Sequence, residues 1–530
     1  MDVIIRNGRI IDGTGGPWFK ADVGIKDDKI INIGNLKDAK AKMEVDADGK
    51  YVAPGFIDFH QHSDITLLAG PSADSALKQG ITSIIVGNCG HSATPVRDRE
   101  LLKSNIYGFQ PEWGIELEWT SVGEYLEKLK ASKPAINVGT LVGHGAIRLA
   151  SMGFANRNPN SEELKEMQEF VRDSLRQGAL GISTGLEYSP GKNAILEELV
   201  AFTKAAADEN CVYATHIRNR EYEFKEAIEE AIQTAKVSGM RLQISHITPR
   251  FWTPGNPTKM ITELLDSARS DGVDVACDIY PYTFAAFTLG LFIPPWAFSE
   301  GVDAVLASLK SPQGRQKIKE YRDQPLAYLA NNGHWDKIIL CTSKANPEFI
   351  GKSFVEIAEI KGCEPFDAVL DVLLEEGRNF YNILAYCITK KEEDIEEMLR
   401  YPNTVVMSDS YTLSKRGVLK DTVLGPAAYS WTIHYLTHYI RSRKILSMEE
   451  GVRRITSLPA QRMGILDRGL IRPGLCADMV VFDYENLCNN ATLANPNQYP
   501  SGIERVFVNG RQVIRNGEQT DFGCGSVIER

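Results

Sequence analysis

Between about residues 55 and 465, short apolar runs alternate with amphipathic segments. Eight of the runs read as strands: FIDFHQH, TSIIVGNCG, AINVGTLVGHG, ALGISTG, CVYATHI, RLQISHI, VDVACDIYPY and NTVVMSDS. Their unbroken apolar character suits strands covered on both faces, as in parallel sheets. Segments such as SEELKEMQEFVRDSLRQG and EYEFKEAIEEAIQTAKVSG carry a helical period and separate several of them. Eight strands joined by helical crossovers predict an α/β fold, a (β/α)8 barrel of the TIM type, over residues 56–465. KIILCTS and NILAYCIT also read as strands and exceed the number a barrel needs. A stretch at about 287–346, opening FTLGLFIPPWAFSEG, breaks the alternation and reads as an insertion on the catalytic face, a candidate lid.

The two ends of the chain have a different character. VIIRNGRII, ADVGIKDDKIINIG and MEVDADGKYVAPG near the start, and LCADMVVFD and ERVFVNGRQVIRNGE near the end, are β-rich runs punctuated by Asn-Gly and Asp-Gly turn signals. The phrase Asn-Gly-Arg occurs at both ends, at Asn7–Arg9 and Asn509–Arg511. Residues 1–55 and 466–530 are therefore expected to form one small β-sandwich from both termini.

Composition narrows the function classes. A net charge of −10 over 530 residues argues against nucleic acid or an anionic membrane as the main partner. No apolar run approaches the ~18 residues needed to span a bilayer, and the opening MDVIIRNGRIIDGTG lacks the apolar core of a signal peptide. The nine cysteines are scattered without CxxC spacing, which suits reduced thiols and a cytoplasmic protein. Nothing in the sequence sets the number of subunits, so a homo-oligomer stays open.

Polar residues recur where the strands end. His60 and His62, two positions apart on one strand, project to the same face. Alone, such a pair is as often a strand entering a loop as a metal site. Here Cys89, His144, His216, His246, Asp278 and Asp409 also close predicted strands, and in a barrel all those ends open on one rim. Imidazoles, a thiolate and a carboxylate are the donors a divalent ion such as zinc takes. Asp409 is placed to shuttle a proton in metal-assisted hydrolysis. His144 reads as substrate-facing or as support for a ligand, and Asp278 as a residue that could orient one.

VAPGFIDFHQHSD, VGNCG, VGHGAIR, GISTGLEYSPG, ATHIRN, ISHI, DIYPY and SLPAQRMGILDRGLIRPGLCADMVVFD together resemble the N-acyl-D-amino-acid deacylases (D-aminoacylases) of the amidohydrolase superfamily. The resemblance runs over nearly the whole chain. It implies a zinc barrel with a β-sandwich and an inserted segment, hydrolysing the amide bond of a small molecule. It assigns Cys89, His216 and His246 to a tight zinc site, and His60, His62 and Asp409 to a second, weaker or vacant one. Asp409 becomes the general acid/base, and Tyr188 and Tyr280 line the substrate pocket.

The departures concern the substrate. Where family members carry His-Pro-Arg, whose arginine binds the substrate carboxylate, this chain has Leu424-Gly425-Pro426-Ala427. Ala286 stands where a hydroxyl usually assists. Arg416, with Lys415 and Lys420, is the expected replacement, unless the substrate carries no carboxylate there. The alternatives are a cyclic-amide hydrolase of the hydantoinase or dihydroorotase type, which the lysine-free fourth strand ALGISTG disfavours, a hydrolase of neutral or peptidic amides, and an inactive barrel scaffold.

Overall fold

The structure is a computed structural model that describes residues 1–107, 109–298, 302–321, 327–378 and 383–530. Its centre is an eight-stranded parallel sheet. The strands are β1 (Phe56–Asp58), β2 (Ile81–Val86), β3 (Asn137–Gly143), β4 (Gly181–Gly185), β5 (Val212–His216), β6 (Arg241–Ile244), β7 (Val275–Ile279) and β8 (Thr404–Val406). Each pairs with the next in sequence order. A parallel bridge between Gln61 and Ser410 closes β1 on β8 just beyond the regular strands. There the His62 N–H donates to Ser410 O at 2.9 Å and the Asp409 N–H to His60 O at 3.2 Å. Closure thus passes through the segments that hold three candidate ligands. The strands are buried almost throughout, as their apolar runs require.

The expected helices are present at Ser161–Arg176 and Phe224–Ser238. Asn160 caps the first by accepting from the Glu162 and Glu163 N–H groups, and Glu163 reaches back to the Asn160 N–H, completing a capping box.

The terminal segments share one nine-stranded sheet, joined where Tyr51–Pro54 pairs antiparallel with Met479–Phe482. The strand Val3–Ile10 changes partner along its length, from Met43–Asp46 to Tyr51–Val52. That change lets the sheet fold over a small core of Val3, Ile5, Val23, Ile25, Val52, Met479 and Phe507. The two Asn-Gly-Arg phrases play different parts. Asn509-Gly510 is a hairpin turn between Val508 and Arg511. Asn7, at φ 57°, instead makes a bulge inside its strand.

The insertion differs from its expected bounds. KIILCTS and NILAYCIT supply Ile338–Leu340 and Leu384–Ile388, and the latter pairs antiparallel with both Ile338–Leu340 and Phe284–Thr288 as the centre of a separate three-stranded sheet. That sheet has a core of its own, including Leu289, Phe292, Val305, Leu340 and Leu370. The inserted unit therefore runs to Ile388, well past 346, because the two surplus strands belong to it and not to the barrel. Residues 299–301 and 322–326, and Asn382 of NILAYCIT, lie outside the described residues. Among the described residues no helix is long and apolar enough to cross a membrane.

Candidate metal centre

The rim at the C-terminal ends of the strands gathers the candidate ligands by unusual backbone. Cys89, His246 and Asp409 all adopt left-handed conformations, at φ 55°, 36° and 53°. Non-glycine residues pay for this, roughly 1–3 kcal/mol each, and such residues cluster at functional sites. Cys89 lies between Gly87 and Gly90, both also left-handed. A Cβ on Gly90 would come within 2.7 Å of the Gly185 nitrogen, so GNCG packs its backbone directly against the end of β4.

The side chains form two clusters that share Cys89: His60, His62, Cys89 and Asp409, and Cys89, His216 and His246. His60 Nε2 stands 3.2 Å from Cys89 Sγ, and Sγ stands 3.4 Å from His246 Nε2. Asp409 Oδ1 is 3.1 Å from His62 Nε2 and 3.5 Å from His60 Nε2. Ligand atoms bound tetrahedrally at about 2.0–2.3 Å stand about 3.3–3.8 Å apart, so these spacings suit atoms around one or two shared ions. The donor chemistry fits as well. Burial opposes ionisation of the Cys89 thiol, but the His60 and His246 rings outweigh it and bring the thiol well below its ordinary range. Burial, with His216 next, pushes His246 down to about 4. Burial also opposes ionisation of Asp409, yet His246, His62 and His60 together hold it a carboxylate.

A second layer supports the ligands. Glu187 Oε2 lies 2.7 Å from His216 Nε2 and accepts from Arg220 Nη2 at 2.8 Å, while its Oε1 accepts from Arg250 Nη2 at 2.5 Å. Arg220 Nη1 stands 3.1 Å from His246 Nδ1, so one guanidinium spans the neighbourhoods of both histidines. Arg250 also pairs with Glu221. Asp278 accepts from the His246 N–H at 2.7 Å and from Gln243 Nε2 at 3.0 Å. The Tyr188 hydroxyl donates to Cys89 O at 3.2 Å and is 3.2 Å from His216 Nδ1. Burial and the charge on Cys89 keep that phenol protonated.

These groups open into a cavity of about 370 Å³. Tyr188 and Tyr280 line it, together with Cys89, His62, His216, His246 and Asp409. The walls differ in kind. Loops after β4, β5 and β6 contribute Glu187, Arg220 and Arg250, whereas the insertion and the segment after β8 contribute Phe284, Ala286, Phe287, Leu291, Leu424 and Ala427.

Two expected substrate contacts fall elsewhere. His144 begins the helix His144–Met152 and is fully buried, its Nε2 2.9 Å from Glu198 Oε1, which also accepts from Arg148. Its ring packs against Phe202, not toward the cavity. Arg416 is exposed, 3.7 Å from Asp74 and bonded to Gln519, in a shallow surface groove with Pro71 and Phe522. Lys415 reaches Gln498 and Lys420 faces solvent. The basic loop is a solvated one, and the wall at Ala427 is apolar.

Reading the sequence missed Glu187, Arg220, Arg250, Tyr107 and His91. The last stacks on Tyr188 with ring centroids 4.8 Å apart, and burial, with His62 next, pushes it down to about 4. For His91 the signal was available, two residues after Cys89.

The sequence profile of the Amidohydrolase family matches residues 43–308 and 404–514, leaving out most of the insertion. The chain is 33% identical over 516 residues to an N-acyl-D-glutamate deacylase from Alcaligenes xylosoxydans xylosoxydans, covering 97% of this chain and 94% of the relative. A D-aminoacylase of the same organism is 28% identical over 536 residues, with 100% and 98% covered. Among solved structures, an N-acyl-D-glutamate deacylase from Bordetella bronchiseptica, in complex with zinc and a phosphonate inhibitor, is 31% identical. It superposes with a TM-score of 0.81, covering 100% of both chains.

Proposed function

The chain belongs to the amidohydrolase family, and from that premise we propose that it is a zinc-dependent hydrolase of amide C–N bonds that deacylates an N-acyl amino acid. The observation that carries the reading is the pair of donor clusters sharing Cys89 inside one cavity, with Asp409 bordering both cavity and ligands. Cys89, His216 and His246 would hold the tight zinc, and His60, His62 and Asp409 a weaker second ion. Zinc bound there supplies Lewis acidity, toward the scissile carbonyl and toward water.

The protein groups do the rest. Asp409, kept ionised by the surrounding imidazoles, takes a proton from the attacking water at Oδ1 and returns it to the departing amine nitrogen. The protonated Tyr188 hydroxyl, beside His216 Nδ1, turns its one O–H from Cys89 O to the negative charge developing on the carbonyl oxygen. Tyr280 flanks the substrate from the end of β7. The apolar wall of Phe284, Phe287, Leu291 and Leu424 accommodates an apolar acyl group or side chain, where a second carboxylate would lose its hydration without a partner.

A preference for the D enantiomer is supported by the relatives named above. The lack of lysine in β4, Gly181–Gly185, weighs against the cyclic-amide alternative. Nine cysteines without a disulfide among the described residues support a reducing, cytoplasmic setting. A side-by-side panel of N-acyl-D-amino acids, their L enantiomers and cyclic amides, assayed with zinc-loaded protein, tests the reading. It expects turnover of the N-acyl-D compounds first. Turnover of the cyclic amides alone would overturn it.

A further inference from the structure

The apolar wall at Ala427 raises a question of charge: an N-acyl amino acid brings a carboxylate, and neither Ala427 nor Arg416 can meet it. We infer that Arg220 and Arg250 form a relocated carboxylate anchor, built from the loops after β5 and β6, that receives the substrate's free carboxylate. The inference rests on the deacylase reading and specifies how that site chooses its substrate.

Both guanidiniums line the cavity, with side-chain exposures of only 11% and 8%. Arg220 lies one imidazole away from the ligand atom of His246, since its Nη1 touches the ring's other nitrogen. The carboxylate of an N-acyl amino acid stands only a few bonds from the scissile carbonyl, so metal and anchor are separated on the scale of that substrate. Arg220 keeps donor capacity. A guanidinium has five N–H donors in a rigid fork suited to carboxylates. Here Nη1 and Nη2 are engaged by His246 and Glu187, while Nε is buried with no hydrogen-bond partner among the described residues.

Glu187 and Glu221 pair with the two arginines, and Lys390 places an amine close by. Its Nζ sits 2.9 Å from the ring centroid of Tyr280, buried and with no hydrogen-bond partner among the described residues. Burial first, and then Arg220, hold that amine well below the usual lysine range, a penalty that a nearby carboxylate would relieve. Arg220 thereby links two tasks, touching His246 beside the metal position and lining the cavity where the substrate sits.

The test compares an N-acyl-D-amino acid with its carboxamide, in which the carboxylate becomes a neutral amide, on zinc-loaded wild type, R250Q and R220Q. Zinc content is measured for every sample, because Arg220 touches a ligand. Equilibrium binding of the matching phosphonamidate analogues, acid and carboxamide, gives a readout independent of turnover. The expected result is a wild-type preference for the acid of roughly 30-fold or more in kcat/KM, expressed mainly in KM. The preference should collapse in R250Q at unchanged zinc content, with analogue binding following the same pattern. Equal handling of acid and carboxamide by wild type, or a preference intact in both variants with zinc retained, overturns the anchor. If neither compound is turned over and neither analogue binds, the deacylase reading fails with it.

Discussion

Asp409 illustrates how a single side chain can be tested apart from its neighbours. Its carboxylate borders the ligand cluster, but the Cys89, His216 and His246 set does not need it. D409N should therefore retain the tight zinc while kcat falls about 10²–10⁴-fold, the usual worth of a positioned acid/base. Metal analysis and rates on the same sample check this. An active D409N would remove it from its role. C89A should behave oppositely and lose the tight zinc outright, because the only anionic donor of that set is gone. E187Q probes the layer behind: it keeps the shape but weakens the hold on His216, and zinc affinity should drop about 10–100-fold, read by competition with a chelator. The six candidate ligands were legible because each follows an apolar strand, where barrel geometry converges. Glu187, Arg220 and Arg250 were not, since they project from loops whose paths no periodicity encodes. His144 misled for a physical reason. A histidine at a strand end faces the rim only if the chain continues as a loop, and here it turns at once into a helix that buries the ring beside Glu198.

At the scale of elements, apolar runs and cap chemistry translate most directly into structure. All eight barrel strands stand where the runs place them, and Asn160 caps Ser161–Arg176 as its N-cap chemistry requires. The hydrogen bonds from Arg157, and then from the Asn160 N–H, pull the Glu163 carboxyl down to about 2, below the usual glutamate range. A depressed carboxyl stabilises the fold fully above its unfolded value, and the benefit is lost as pH falls toward the folded one. Thermal unfolding of wild type and E163Q should therefore differ by a constant amount above about pH 6, and the difference should shrink as pH is lowered toward about 3. A difference that does not change with pH would assign the effect to packing. The insertion was the least legible element. Its strands Ile338–Leu340 and Leu384–Ile388 look like barrel strands in composition, and only pairing distinguishes them.

Across the whole molecule, the C-terminal tail is tied to the start of a barrel strand. The Gly525 N–H donates to Pro134 O at 2.9 Å, Val138 N–H to Ser526 O at 3.0 Å and Ile528 N–H to Val138 O at 2.7 Å. Asn137 Oδ1 accepts from Asn509 Nδ2 and from both Ser526 donors. Deleting residues 524–530 orphans these groups at the start of β3, which lies two strands from the His60 and His62 segment. Calorimetry should show a lower Tm, by about 2–4 °C for each kcal/mol lost. An unchanged Tm would mean the tail contributes nothing to holding barrel and terminal sheet together. The central claim is that this barrel hydrolyses amides through a metal held by Cys89, His216 and His246. The measurement that reaches it most directly follows zinc content and N-acyl-D-amino-acid hydrolysis together, through chelation and stepwise zinc return. The account predicts that hydrolysis disappears with the metal and returns in full at about one zinc per chain. Undiminished hydrolysis by metal-free protein would contradict it.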